Sequence, residues 1–308
     1  MNVIESTCGI DVFENSTAIV TGASKGLGRA IALELGKRGV NVACVARGQA
    51  GLERVATLIT DTGGHACAIP CDVSRADSVD RMVEQVRDQF GRVDMLINNA
   101  GIQGPIAWIV DYDTAEWDRI MAVNLRGPFL CCRKVLPEMI ARRSGKIVNI
   151  AAGVTEERVD YGVAAYYASK AGLINFTRQL AAEVKRYHVF VNAIDPGGMT
   201  TGMSDEIMSS EQASDEFDGK QTNRDPSIRL RTPEEIVPMV MFLLSEDSNM
   251  MTGRLLQASS PRRRAILTTL NVLGVGPVRR SQPQLTRCRR YVVISAIGIA
   301  CIAARPTR

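Results

Sequence analysis

The stretch TAIVTGASKGLG, residues 17–28, sets an apolar, β-branched run directly before a turn with three glycines. A helical pattern over residues 27–38 follows, so the glycines lie between a strand and a helix. Gly22 permits the tight turn, Gly26 lets the backbone approach a pyrophosphate, and Gly28 lets helix and strand pack closely. Free N–H groups at the helix N-terminus favour an anion there. The stretch predicts a dinucleotide-binding unit; a glycine-rich turn without a ligand is the alternative.

The alternation of strand and helix patterns continues to about Leu256. Repeated βαβ units build a parallel sheet, and right-handed crossovers place helices on both of its faces. The sequence therefore predicts an α/β fold class: a single domain over residues 13–257 with one doubly wound, seven-stranded parallel sheet, the Rossmann fold. The strand candidates are residues 17–20, 40–46, 65–70, 93–99, 146–151, 190–195 and 253–258. The helix candidates are residues 27–38, 49–61, 75–89, 114–140, 164–186 and 233–244.

The composition is that of an ordinary globular protein. Of the 308 residues, 45% are hydrophobic and 23% are charged, which is enough chain for one large α/β domain. The eight cysteines form no CxxC pair and no secretory segment opens the chain, so we expect a reducing cytoplasm. With two histidines and no Cys/His cluster, we expect no metal site.

Four further motifs follow the glycine turn. NNAG (98–101) comes directly after the fourth strand candidate, and YYASK (166–170) lies within a helix candidate. Asn124 stands in VNLRGPF, and Pro196-Gly197 follows the sixth strand candidate. With TGxxxGxG, these residues make the chain resemble the short-chain dehydrogenase/reductase family over residues 13–257. Within the family it is most similar to 3-oxoacyl thioester (acyl-carrier-protein) reductase-like members.

The resemblance implies an oxidoreductase that transfers a hydride between a nicotinamide cofactor and a carbonyl or alcohol substrate. It implies that Tyr166 exchanges a proton with the substrate oxygen, that Lys170 also holds the nicotinamide ribose, and that Asn124 supports a water relay. The residue chemistry agrees, because side chains four apart on a helix are neighbours. A free tyrosine has a pKa of about 10, and a nearby ammonium favours its phenolate. Taken alone, a YxxxK pair is more often an ordinary surface pair.

The end of the second strand candidate indicates which nicotinamide cofactor is used. An acidic residue about 20 positions after the glycines would accept from the ribose 2′-OH, but the strand ends in Arg47. Arg47 and Lys25 of the glycine turn could both meet a 2′-phosphate, and arginine is suited to bidentate contact. The sequence therefore predicts NADP(H). The alternative for both residues is a solvated surface cation.

The resemblance also implies the remaining cofactor contacts. Asp72 and Val73, after the third strand candidate, match the position that holds the adenine. Thr201 is the side chain expected at the nicotinamide carboxamide. The other implied cofactor-binding residues are Ser24 and Leu27 in the glycine turn, Asn99, Ala100 and Gly101 after the fourth strand candidate, and Pro196 and Gly197 after the sixth.

At one position the chain departs from the family. The strand KIVNI is normally followed by a serine that hydrogen-bonds the substrate oxygen, but here Ala152 or Gly153 occupies that place, depending on the direction of counting. Thr155 carries the nearest hydroxyl downstream and could replace the serine. Loss of one preorganised donor costs about 10²–10³ in rate in acyl-transfer sites. The alternative function is therefore a catalytically weak, NADP(H)-binding regulatory or binding protein.

Two segments lie outside the strand–helix pattern. The polar residues 202–230 follow a strand end, where open α/β sheets bind ligands, and predict a substrate lid; a solvated insertion is the alternative. Residues 258–308 hold ten arginines and no Asp, Glu or Lys, so this segment carries a charge of +10. Because the net charge of the whole chain is +4, residues 1–257 carry −6. Such an acidic body predicts no nucleic-acid partner.

The arginine-rich tail, residues 258–308, replaces the short ending that helps to pack subunits in the family. We expect it to be poorly ordered and to arise from an altered reading frame or a spliced extension; a basic arm for anionic membranes or nucleic acid is the alternative. The apolar run 291–304 is shorter than the about 20 residues of a membrane span, so no transmembrane segment is predicted. The resemblance implies a homo-oligomer, a dimer or tetramer, unless the tail interferes.

Overall fold

The computed structural model describes residues 13–153, 162–199 and 230–258, together with the backbone of residues 293–295 and 298–300. Seven strands form one sheet in the order β3-β2-β1-β4-β5-β6-β7, and every neighbouring pair is parallel. The prediction of a doubly wound, seven-stranded parallel sheet is therefore confirmed. The strands are β1 Thr17–Thr21, β2 Asn41–Ala46, β3 His65–Pro70, β4 Met95–Asn98, β5 Gly145–Ile150, β6 Val189–Asp195 and β7 Leu255–Gln257.

Helices cover both faces of the sheet, because its strands are apolar on both sides. One buried cluster joins the sheet to α1, α2 and α7, and a second joins the opposite face to α3, α5 and α6. The α-helices are α1 Gly26–Lys37, α2 Gln49–Thr60, α3 Ala76–Phe90, α4 Thr114–Met121, α5 Gly127–Arg142, α6 Ala164–Val184 and α7 Pro233–Leu244. Because the seven strands are parallel, all their carboxyl ends lie at one edge of the sheet.

The helix predicted over residues 114–140 runs without a gap from Thr114 to Arg142, but it is not α-helical throughout. A π-helical turn, Ala122–Arg126, separates α4 from α5 and holds Asn124. Such a turn widens the helix by one residue and is frequent at functional sites. The sequence analysis did not indicate it, because the helix pattern over residues 114–140 runs through residues 122–126.

The chain divides into two units, Met1–Ser260 and Pro261–Arg308. Within the second unit the structure describes two short antiparallel strands, β8 Val293–Ser295 and β9 Gly298–Ala300. The poor order expected for residues 258–308 stays a prediction. Among the described residues, no helix combines the length and the apolarity needed to cross a membrane.

A buried polar chain ties the central strands to α6. Asn98 on β4 donates to Oδ1 of Asn149 on β5 at 2.8 Å, and Asn149 donates to Oγ1 of Thr177 on α6 at 2.8 Å. The three residues are at most 2% exposed. Because buried polar groups are costly when unpaired, this chain fixes how α6 lies on the sheet.

We expect Asn149→Leu to lower the free energy of unfolding by about 2 kcal/mol or more, because the amide of Asn98 then loses its acceptor in the core. Urea denaturation measures the change. The control Thr60→Ala removes an exposed hydroxyl–carbonyl bond and should stay within about 0.5 kcal/mol. Equal small losses in both variants would contradict the structural role of the buried chain.

Candidate active site

The glycine turn after β1 is packed against the end of β4. Gly22 has a φ of +67°, and a Cβ there would lie 2.7 Å from Nδ2 of Asn99. A Cβ on Gly28 would overlap the carbonyl oxygen of Gly22 and lie 2.5 Å from the same Nδ2. Neither position therefore accepts a side chain, and the bare backbone of the turn is held at the carboxyl edge of the sheet.

Asn99 and Thr21 make this junction. Nδ2 of Asn99 donates to the carbonyl oxygen of Thr21 at 2.8 Å and to that of Gly22 at 3.3 Å. Oγ1 of Thr21 accepts from the backbone N–H groups of Asn99 and Ala100, at 2.9 and 3.0 Å. The NNAG motif is thus fixed to the glycine turn by side chains of both segments.

Two exposed cations flank the turn. Lys25 directly precedes α1, and Arg47 directly follows β2. Among the residues that the structure describes, Arg47 forms no hydrogen bond or ion pair. A turn whose glycines exclude side chains and an unpaired guanidinium at the same edge fit a phosphate-bearing dinucleotide.

Several predicted cofactor residues can act only through their backbone. Leu27 and Val73 are 4% and 7% exposed, and their side chains pack in the two hydrophobic clusters. Asp72 uses Oδ1 to accept from the N–H and the hydroxyl of Ser74, at 3.0 and 2.7 Å. Asp72 consequently shapes the turn after β3.

Lys170 is buried beside Tyr166. Its Nζ donates to the carbonyl oxygen of Ile150 at 2.8 Å and lies 5.8 Å from the centroid of the Tyr166 ring. The lysine is 4% exposed, and burial lowers its pKa to about 8. At pH 7 the group therefore remains mostly an ammonium, close to the half-buried phenol ring.

Asn124 lies near this lysine, in the π-helical turn, and is held by hydrogen bonds to two other residues. Its Oδ1 accepts from the N–H of Ile102 at 2.9 Å, and its Nδ2 donates to the carbonyl oxygen of Ile102 at 2.8 Å and to Oγ of Ser169 at 3.0 Å. A Cβ on Gly101 would lie 3.3 Å from Nζ of Lys170 and 3.4 Å from Oδ1 of Asn124. The predicted residues Gly101, Asn124 and Lys170 thus meet at one place.

The position of the missing serine lies against β6. A Cβ on Gly153 would lie 2.6 Å from Oδ2 of Asp195, so a side chain on Gly153 would require the Asp195 carboxylate to move. Ala152 is half-buried and already carries a Cβ. Of the two alternatives, only Ala152 could hold a serine without displacing Asp195.

The sequence analysis missed Asp195 as a residue of this site. It is 7% exposed, and its Oδ1 accepts from the N–H of Gly197 at 2.9 Å. Its position just before Pro196 was visible, but nothing local indicates a function. Only the pairing of β5 with β6 brings its second oxygen beside Gly153.

The predictions for Thr155, Thr201 and the substrate lid fall almost entirely on residues that the structure does not describe. Thr155 and Thr201 lie outside the described residues, as do residues 202–229. The backbone of Gly197 is described and lies close to Arg231, since a Cβ on Gly197 would be 2.9 Å from its Nη1. Within the described residues no group of three or more His, Cys, Asp or Glu could hold a metal ion.

Comparisons with known proteins agree with this geometry. The family model described as short chain dehydrogenase matches residues 16–212. The chain is 36% identical over 241 residues to the 3-oxoacyl-[acyl-carrier-protein] reductase FabG of Staphylococcus epidermidis, covering 78% of this chain and 96% of that relative.

Two solved structures show the same fold. The actinorhodin polyketide ketoreductase with NADPH has a TM-score of 0.72 and 34% identity, over 79% of this chain and 95% of that one. The NAD+-bound xylitol dehydrogenase has a TM-score of 0.73 and 32% identity, over 80% of this chain and 98% of that one.

We expect Gly28→Ala to weaken dinucleotide binding by about tenfold or more and to lower Tm, because the new methyl group displaces the glycine turn or the Asn99 amide. Fluorescence titration and thermal unfolding measure the two effects. Gly48→Ala is the matched control at the same edge, since a Cβ there meets nothing within 4 Å. Similar affinities in the two variants would argue against this turn as the dinucleotide site.

Proposed function

Because this chain belongs to the short-chain dehydrogenase family of oxidoreductases, we propose that it transfers a hydride between NADP(H) and a carbonyl or alcohol substrate. The observation that carries the proposal is the buried ammonium of Lys170 beside the Tyr166 ring, at the edge that holds the glycine turn. Burying a cation costs free energy, and a buried ionisable group with a shifted pKa at such an edge is a candidate for a functional site.

The chain's own residues supply the proton chemistry. When bound, the nicotinamide supplies the hydride for carbonyl reduction and accepts it in the reverse reaction. Tyr166 donates its phenolic proton to the substrate oxygen as that oxygen gains negative charge. The Lys170 ammonium stabilises the phenolate that remains, because opposite charges attract strongly in a poorly hydrated site. In the alcohol-oxidising direction Tyr166 takes the proton back.

Asn124 acts through the backbone that it holds. Both ends of its amide bond Ile102, and Ser169 connects it to α6, where Oγ donates to the carbonyl oxygen of Tyr166 at 2.6 Å. These bonds fix the distance between α6 and the NNAG segment. We infer that the relay expected behind Lys170 depends on this brace.

The choice of NADP(H) rests on Arg47. The relatives divide on this point, since one solved structure is described with NADPH and another with NAD+. Arg47 is exposed and unpaired within the described residues, and a guanidinium can bind a 2′-phosphate with two parallel hydrogen bonds. An acidic residue, as needed for a ribose hydroxyl, is absent from the end of β2.

Among substrates, 3-oxoacyl thioesters are the first candidates, because a 3-oxoacyl-[acyl-carrier-protein] reductase is among the similar proteins. Simple ketones, quinones, steroids and sugars follow. The second candidate function is a catalytically weak, NADP(H)-binding regulatory protein, which the alanine at position 152 favours. Turnover separates the two functions.

The chain also has an apolar surface suited to self-association. Met121, Leu125, Phe129 and Phe176 line an open groove between the π-helical region and α6, and Phe129 is 44% exposed. An exposed apolar groove is a common site of protein contact. We propose that the chain forms a homo-oligomer in which this face contacts the same face of a second copy.

We also propose a cytoplasmic location.

The reaction is tested with NADPH and a panel of ketones that includes a 3-oxoacyl thioester. We expect the wild type to oxidise NADPH with at least one of them and Tyr166→Phe to lose this turnover, because the proton donor is gone. Tyr187→Phe, remote from the site, should keep it. Cofactor binding without turnover on any compound would support the regulatory alternative.

Arg47→Asp tests the cofactor. The exchange should weaken NADPH binding and improve NADH use, because an acceptor for a ribose hydroxyl replaces a phosphate partner. The ratio of kcat/KM values for NADPH and NADH measures the effect. Arg254→Asp, which changes an exposed arginine directly before β7 at the opposite edge, is the matched control. An unchanged ratio would mean that the 2′-phosphate is bound elsewhere.

The missing serine predicts a gain of function. We expect Ala152→Ser to raise kcat, because it restores a hydroxyl donor, while Thr155→Val changes little. Gly153→Ser should bring no such gain, because its Cβ would collide with Asp195. A loss of about 10²-fold in Thr155→Val, with cofactor affinity intact, would instead show that Thr155 has replaced the serine.

A further inference from the structure

Asp195 brings a carboxylate to the place that a side chain on Gly153 would occupy. The residue is more than nine-tenths buried, and Oδ1 accepts from the N–H of Gly197 at 2.9 Å. Among the described residues, Oδ2 has no hydrogen-bond partner. That oxygen lies 2.6 Å from the position of a Cβ on Gly153. Within the part of the chain that the structure describes, Oγ1 of Thr17 is the one side-chain atom that is both buried and unpaired, so Oδ2 of Asp195 keeps contact with solvent and can accept a hydrogen bond from a ligand.

The side chain projects towards the reacting edge. Residues alternate between the two faces of a strand, and Val191 and Ala193 of β6 face the side of the sheet that α6 covers. Asp195 continues this series at the carboxyl end, where Lys170 of α6 bonds Ile150 of β5. Ile150 is in register with Ile194, next to Asp195. The carboxylate therefore belongs to the same corner of the site as the Tyr166 and Lys170 helix.

The carboxylate of Asp195 is a hydrogen-bond acceptor, whereas the reacting oxygen of the substrate needs a hydrogen-bond donor. A serine hydroxyl would donate to a carbonyl oxygen, whereas an ionised carboxylate only accepts. Asp195 would repel an oxygen that gains negative charge, so it cannot take over the work of the absent serine. It suits a group on the substrate that donates.

We propose that Asp195 is a specificity-determining residue that accepts a hydrogen bond from a hydroxyl or ammonium group on the carbon next to the reacting carbon. The inference rests on the proposed function and narrows its substrates to 2-hydroxy or 2-amino carbonyl compounds and the corresponding alcohols. Gly153 leaves room for this acceptor, because a Cβ there would displace Oδ2 of Asp195. Ala152, without a hydroxyl of its own, leaves the carboxylate free to bind the substrate.

Asp195→Asn is the informative variant. Its amide oxygen can still accept from Gly197, which leaves the NH2 group facing Gly153, so an acceptor becomes a donor while the shape is kept. The probes are acetophenone, 2-hydroxyacetophenone and 2-aminoacetophenone, which differ only in the donor beside the carbonyl. Asp94→Asn is the matched control, because Asp94 also accepts a backbone N–H at 2.9 Å but lies at the opposite edge, before β4.

We expect the wild type to prefer one or both donor-bearing ketones over acetophenone in kcat/KM. In Asp195→Asn this preference should fall about tenfold or more, as for loss of a hydrogen bond to a charged group. The measured quantity is the ratio of kcat/KM for each donor-bearing ketone to kcat/KM for acetophenone. The hydroxyl and ammonium probes show which donor the site takes. Asp94→Asn should keep the wild-type preference.

A binding measurement gives a second, independent result. Calorimetry on Tyr166→Phe, which cannot turn over substrate, should give a lower Kd for the preferred donor-bearing ketone than for acetophenone. Adding Asp195→Asn should abolish that difference.

Distinct results separate the two proposals. If no ketone is turned over by the wild type, the proposed function fails. If acetophenone and its derivatives are turned over but the preference is absent, or is unchanged in Asp195→Asn, the role of Asp195 is overturned. An equal loss on all three ketones would also overturn it, since that result would indicate a general structural or proton-donating role.

Discussion

The amide of Asn99 is the contact on which the site depends. At the junction of β1 and β4 the chain turns to opposite faces of the sheet. The last β1–β4 pair is Val20 with Ile97, so the carbonyl groups of Thr21 and Gly22 lie beyond it. Asn99 donates to both, and the absence of a side chain on Gly28 makes room for it. Together with the two backbone N–H groups that donate to Oγ1 of Thr21, this amide holds the glycine turn against the NNAG segment.

The second constraint is the cost of burying Lys170. Desolvation disfavours its charge, and the single carbonyl group of Ile150 compensates only in part. The surrounding structure is therefore rigid: the π-helical turn places Asn124 against Ile102, and the chain from Asn98 to Thr177 fixes α6 on the sheet. A family of oxidoreductases that needs a cation beside a phenol gains from this rigidity, because the charge is oriented before any substrate arrives.

Ala152, Gly153 and Asp195 lie together where β5 and β6 end. Neither Ala152 nor Gly153 carries a hydroxyl, and the carboxylate of Asp195 lies beside Gly153. The two strand ends are sterically linked, because Oδ2 of Asp195 is 2.6 Å from the position of a Cβ on Gly153. This corner therefore presents a hydrogen-bond acceptor and no side-chain hydroxyl donor from these three residues.

The sequence by itself determined the seven strands, their parallel order and the glycine turn, because apolar periodicity and glycine spacing are local signals. It also placed Tyr166 and Lys170 on one helix face. It did not reveal the π-helical turn, because the helix pattern over residues 114–140 runs through it, or the burial of the Leu27 and Val73 side chains, which depends on packing between distant segments. Only the tertiary structure decided that Asp195 meets Gly153, because the register of β5 against β6 brings together residues that no local pattern connects.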